Sequence, residues 1–138
     1  MILTTALTCL ALNIYHESRG ESELGKKIVA QSTLNRVKEN NSSVCEEVLR
    51  PHQFSWTSSL VRDKRLRESG IPKDSDAWDD SKRIAQQALN GNMQLPRRYR
   101  QVTSFHAISI RPRHWSKDMR CLGRIGGHIA YAPTKSTQ

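Results

Sequence analysis

The stretch Ala6-Leu7-Thr8-Cys9-Leu10-Ala11-Leu12-Asn13-Ile14-Tyr15-His16-Glu17-Ser18-Arg19-Gly20-Glu21 decides how the chain is read. Leu7, Leu10, Ala11 and Ile14 recur at helical spacing and predict a first helix over residues 3–16. The apolar run then ends in a carboxylate, followed at once by an arginine and a glycine. A carboxylic acid at the edge of apolar surface has its pKa raised, because desolvation disfavours the charged form. Such a group can act as a general acid near neutral pH. The bland alternative is a charge marking a helix end. A negative charge is slightly unfavourable there, where the macrodipole is also negative. That misfit makes Glu17 the candidate proton donor. Glu21 and Glu23 suit the start of the next helix, with Glu21 close enough to assist.

Working outward, Ser18 to Glu23 reads as a break, with Ser22 as N-cap of a second helix over about 23–38. Gly25, at the third position, cannot complete a capping box. Ala30, Leu34 and Val37 form the apolar stripe of that helix. A short helix over about 44–49 ends before Pro51. Residues 51–73 look irregular, and the run Arg62 to Glu68 reads as a solvated face. Asp74 or Ser75 opens a third long helix, which Asn90-Gly91 stops. Beyond Pro96, residues 102–107 and 126–131 are candidate strands. Helices first and short strands afterwards make the fold class α+β, mainly helical with a small antiparallel sheet in the C-terminal part.

The 138 residues are expected to form one domain, with 36% apolar residues and a net charge of +9 from 22 Lys+Arg against 13 Asp+Glu. Charge of that size speaks to partners: nucleic acid, an acidic membrane surface or an acidic envelope polymer. Residues 1–15 lack a basic leader and a cleavage signal and are too short to span a bilayer, so a buried helix is expected, with neither signal peptide nor transmembrane segment. The three cysteines, Cys9, Cys45 and Cys121, have no metal-ligand spacing. Free thiols used as small apolar side chains are expected, with one disulfide of unnamed pairing as the alternative.

Other chemistries leave little trace. The histidines form no H-E-x-x-H pattern, so neither a metal nor a cofactor is expected. Gly123, Gly126 and Gly127 lack the Lys-Ser/Thr of a phosphate loop, and no G-x-S-x-G element is present. No helix carries a row of Arg and Lys on one face, so no specific nucleic acid is expected. Gln53, Phe54, Ser55 and Trp56 form a polar-aromatic cluster suited to sugar faces and their hydroxyls, or equally a satellite core beneath a long loop. Phe105-His106 and His114-Trp115 repeat the style. A lone histidine in a strand, as His128 would be, is more often structural than catalytic.

Together these pieces resemble the cell-wall hydrolases of the spore cortex-lytic, or SleB, type. Tyr15-His16-Glu17-Ser18-Arg19-Gly20-Glu21 is similar to that family's E-A-R-G-E signature, with Ser18 in place of alanine. The resemblance continues through Gly25, Val29-Ala30-Gln31, Leu34-Asn35-Arg36-Val37, 44–48, Gln53-Phe54-Ser55-Trp56, 85–91, 103–107, Trp115 and 125–131. It implies a lysozyme-like fold and action on the glycan strands of peptidoglycan, with Glu17 as catalytic acid/base. Gln53, Phe54, Ser55, Trp56, Phe105, His106, Trp115, His128 and Tyr131 would bind substrate, with Arg19, Glu21 and Asn35 in support. The implied reaction is lytic transglycosylation at the MurNAc–GlcNAc β-1,4 bond. Hydrolytic muramidase or N-acetylmuramoyl-L-alanine amidase action stands as the enzymatic alternative, and a basic nucleic-acid binder as the non-enzymatic one. Small size and positive charge further fit a phage-type lysin. It would be monomeric, made in the host cytoplasm, drawn to anionic envelope surfaces, and dependent on a holin to reach the wall in the periplasm.

Overall fold

The computed structural model describes residues 5–50, 54, 56–57, 61–62, 65–109 and 114–134. The long elements of the first part are helices: α1 (Ala6–Ser18), α2 (Glu23–Asn40), the shorter α3 (Val44–Leu49) and, after a two-strand ribbon, α4 (Ser75–Asn90). The ribbon pairs β1 (Val61–Arg62) with β2 (Arg65–Leu66). A three-stranded antiparallel sheet follows, made of β3 (Ser104–Ala107), β4 (Met119–Ile125) and β5 (His128–Pro133), in the order β3-β5-β4. The expected α+β class, mainly helical with a small C-terminal antiparallel sheet, is what forms.

Local chemistry accounts for the helix ends. The Thr5, Ser22, Ser43 and Asp74 side chains each accept a backbone N–H from the first turn of the helix that follows. Ser43 and Glu46 close a reciprocal capping box. Asn41 and Gly91 end α2 and α4 in the left-handed conformation.

α1 is apolar on nearly every side, and such a helix must lie inside. Leu10, Ala11, Leu12 and Ile14 are completely buried, packed among α2, α3 and α4. α2 shares its faces between two cores. Val29 and Ala30 pack on α1, while Ile28 joins Leu122, Ile125 and Ala130 under the sheet. α2 therefore couples the helical part to the strands. No described helix is long and apolar enough to cross a membrane.

Three expectations change. Cys9 and Cys45 are joined in a disulfide, and Cys121 is an exposed free thiol rather than a buried apolar filler. Helix packing brings α3 against the second turn of α1, leaving 5.3 Å between the two Cα atoms, within bridging range. The charged run beyond residue 60 is more than a solvated face, because it supplies the ribbon and buries Leu66. The sheet has a third strand, β4. A bulge between Cys121 and Gly123 breaks its two-residue period, so it lacks the alternation that marks a strand.

Candidate active site

Glu17 lies in the last turn of α1, half-buried at the rim of the core. Burial alone pushes its carboxyl up to about 7. Neither a hydrogen bond nor an ion pair from the described residues engages that carboxyl. It is therefore poised near neutrality and available to a ligand. Asn13 precedes it by one turn, at i−4, and shares a face with its neighbour His16. The buried indole of Trp56 covers that face, donating to Asn13 Oδ1 at 2.8 Å and stacking on the His16 ring at 4.7 Å. Desolvation lowers the His16 pKa, and the ring bonds the Gly70 carbonyl at 2.8 Å through Nε2. Neutral His16 thus helps keep the surroundings of Glu17 apolar.

The other wall comes from the sheet. His128 begins β5, nearly buried, and its ring hydrogen-bonds the backbone of Glu17. Desolvation lowers its pKa, against an opposing pull from Glu21. A neutral ring that donates to a carbonyl through one nitrogen keeps a lone pair on the other. His128 Nδ1 is buried, with no hydrogen-bond partner among the described residues. Phe105 meets His128 edge-on at 5.3 Å, and Phe54 stands 6.2 Å from Phe105. A row of rings therefore runs from residue 54 to the corner beside Glu17.

Glu21 locks this corner. Its Oε1 accepts the Gly127 N–H at 2.9 Å, in the two-residue turn joining β4 to β5. A Cβ on Gly127 would stand 2.7 Å from Glu21 Oε2, and one on Gly25 would stand 3.1 Å from Glu21 Cβ. Gly126 takes φ +55, a conformation that favours glycine. The glycines thus admit the Glu21 carboxylate against the backbone, and the turn it holds delivers His128 to Glu17. Gly127→Ala is expected to destabilise the fold by about 1–2 kcal/mol by displacing Glu21 from its donor. In a Glu21→Ala background the same change should cost much less. Denaturant unfolding of the double-mutant cycle measures this coupling; strict additivity would refute the lock.

The remaining expected site residues separate. Register places His106 and Tyr131 on the face of the sheet opposite Phe105 and His128. There the two rings stack, and His106 Nε2 lies 2.9 Å from the Tyr131 hydroxyl. Arg19 turns from Glu17 and sits over the Tyr15 ring, 4.8 Å from its centroid, rather than holding the carboxyl. Asn35 ties α2 to the approach to β3 by donating to the carbonyls of Arg100 and Val102. Gln53, Ser55 and the Trp115 side chain lie outside the described residues. Sequence reasoning passed over Tyr15, whose hydroxyl accepts the N–H groups of Lys73 and Asp74, and gave no role to Asn13. The polar Asn13 within an apolar helix was the available signal. No group of three or more potential metal ligands occurs among the described residues.

The helical part and the small sheet meet at a desolvated carboxyl. Residues 20–131 match the Cell Wall Hydrolase family, and the chain belongs to that family. The match begins three residues after Glu17 and so does not include it. Two solved structures share the fold: the catalytic domain of the Bacillus cereus SleB protein and that of the germination-specific lytic transglycosylase SleB from Bacillus anthracis. Each is 23% identical with a TM-score of 0.67 over 91% of this chain, and the alignments cover 88% and 93% of those chains respectively. A search of curated protein sequences finds no match.

Proposed function

We propose that this cell-wall hydrolase is a lytic transglycosylase that cleaves the MurNAc–GlcNAc β-1,4 bond of peptidoglycan with Glu17 as its one catalytic carboxyl. The observation that carries the reading is the half-buried Glu17 carboxyl, without a partner among the described residues and with a pKa of about 7. Protonated Glu17 gives its proton to the glycosidic oxygen as the bond from that oxygen to the MurNAc anomeric carbon breaks. The departing GlcNAc keeps the proton as its 4-hydroxyl. The MurNAc 6-hydroxyl oxygen then bonds to the anomeric carbon and surrenders its proton to the Glu17 carboxylate. A 1,6-anhydro end forms, no water is consumed, and the acid is restored.

A hydrolase would need a second carboxylate across the bond, as nucleophile or as base for water. Glu21 is the nearby candidate by sequence, but its carboxylate is engaged by Gly127 N–H and packed against the turn. That engagement favours the route in which the substrate supplies its own nucleophile. Phe105, half-exposed beside His128, offers a face for a pyranose ring.

Mass spectrometry of peptidoglycan digested by the purified protein tests the reading. Anhydro-MurNAc ends are expected. Reducing MurNAc ends would establish a hydrolase instead, and released peptides with free lactyl groups an amidase.

A further inference from the structure

The basic charge of the chain is not evenly compensated. On the outer faces of α2 and α4, Lys26 pairs with Asp80, Lys27 with Glu23, Lys82 with Asp79, and Arg83 with both Glu23 and Asp80. Around β4 the situation is opposite. Arg97, Arg98, Arg100, Arg120 and Arg124 are all exposed, and none pairs with a carboxylate among the described residues. Their contacts there are with neutral groups. Arg100 donates to the Leu95 carbonyl, Arg120 to Gln101 Oε1, and Arg124 to the Gly126 carbonyl, while Arg98 lies over the Tyr99 ring.

The fold gathers these arginines. β4 is an edge strand, and the 3-10 turn Arg97–Tyr99 sits against its bulge. Gly123 at that bulge has φ +124, and a Cβ there would stand 3.6 Å from Arg98 Nη2. The missing side chain leaves a bare floor for the Arg98 guanidinium. The cluster also reaches the active corner, because Arg124 bonds the carbonyl of Gly126 and the next N–H holds Glu21.

We infer that this arginine surface binds the carboxylates of the peptide stems carried by the glycan strand, making stem-bearing peptidoglycan the preferred substrate. The inference rests on the glycan-cleaving reading of Glu17. A guanidinium presents a fixed fork of donors that matches a carboxylate. Continuity with the catalytic corner places the anion on the substrate itself rather than on a separate membrane surface.

Binding by the inactive Glu17→Gln chain separates the possibilities. Beads carrying peptide-bearing glycan strands are compared with beads carrying strands stripped of peptide, at 0.1 M salt. Peptide-bearing strands should bind more tightly. Adding Arg97→Gln, Arg98→Gln and Arg120→Gln should weaken that binding about ten-fold, the joint effect of several exposed charge pairs, and leave stripped strands unaffected. On the unaltered arginine surface, about 1 M salt should erase the preference, since screening shortens to about 3 Å. Equal binding to both strands, or an equal loss from both, overturns the inference. So does an arginine dependence confined to phosphatidylglycerol–phosphatidylethanolamine vesicles. Anhydro ends released from stripped strands by the wild-type protein report on the glycan reaction separately, so the two readings fail independently.

Discussion

Glu17→Gln should abolish wall clearing while making the folded protein more stable at alkaline pH. Removing a general acid costs about 10²–10⁴-fold in rate, and in the proposed reaction the same group is also the base that takes the proton back, so the upper end is expected. The stability change follows from the raised pKa. Folding moves the carboxyl from an ordinary 4.5 to about 7. Between those values the folded state holds a proton that the unfolded chain has released, so stability falls as pH rises from 4.5 to 7. Each unit is worth about 1.4 kcal/mol, which makes the charged form cost about 3 kcal/mol at pH 8. Glutamine escapes that cost, so the variant should melt higher than wild type at pH 8 and match it near pH 4. Wild-type kcat/KM should be level on the acid side and fall about ten-fold per unit above pH 7 as the acid is lost. Retained lysis in the variant would remove Glu17 from the mechanism, and a variant no more stable at pH 8 would contradict its desolvation.

The opposite sign is expected at Glu47. Its side chain is 1% exposed yet charged, accepting from Ser42 Oγ, Asn40 Nδ2 and Arg50 Nη2, with Arg36 Nε at 3.8 Å. Burial pushes its pKa up, but the hydrogen bonds and the Arg50 charge outweigh that and hold it below the ordinary value. Arg36 carries the connection onward, donating to the Thr103 carbonyl and Ser104 Oγ at the start of β3. Breaking a buried pair by deleting one partner costs about 3–5 kcal/mol. Glu47→Ala should therefore lose that much by denaturant unfolding, with the kcat of the remaining folded protein near that of wild type. Because the folded pKa is depressed, this stabilisation is fully present above the unfolded value and is lost as pH falls through the folded one. Glu47→Gln should accordingly flatten the acid limb of the stability curve. A change in stability below about 1 kcal/mol in Glu47→Ala, the scale of exposed pairs, would mean that the cluster is not a brace.

The two carboxylates show why one was legible in the sequence and the other was not. Glu17 stands out because it ends an apolar helix, and its environment is largely written by its neighbours along the chain. Glu47 sits in an ordinary-looking helical segment, and its importance comes from Arg36 and the turn at Asn40–Ser42 folding over it. Helix boundaries were readable for the same local reason as Glu17. Ser22, Asp74 and Gly91 act within a turn of their own positions.

Strand β4 was not readable, because the bulge at Cys121–Gly123 destroys its alternation. The split of the expected sugar-binding residues also escaped, since Phe105 and His106 are adjacent in sequence and a strand sends neighbours to opposite faces. Local chemistry thus assigned the apolar central helix, its terminal acid and the caps, through interactions that span a few residues. The Cys9–Cys45 bridge, the Glu21 grip on Gly127 and the approach of His128 to Glu17 were decided by tertiary packing. Each joins groups 36 to 111 residues apart in the chain, and only the docking of α3 and the sheet onto α1 and α2 brings them within bonding distance.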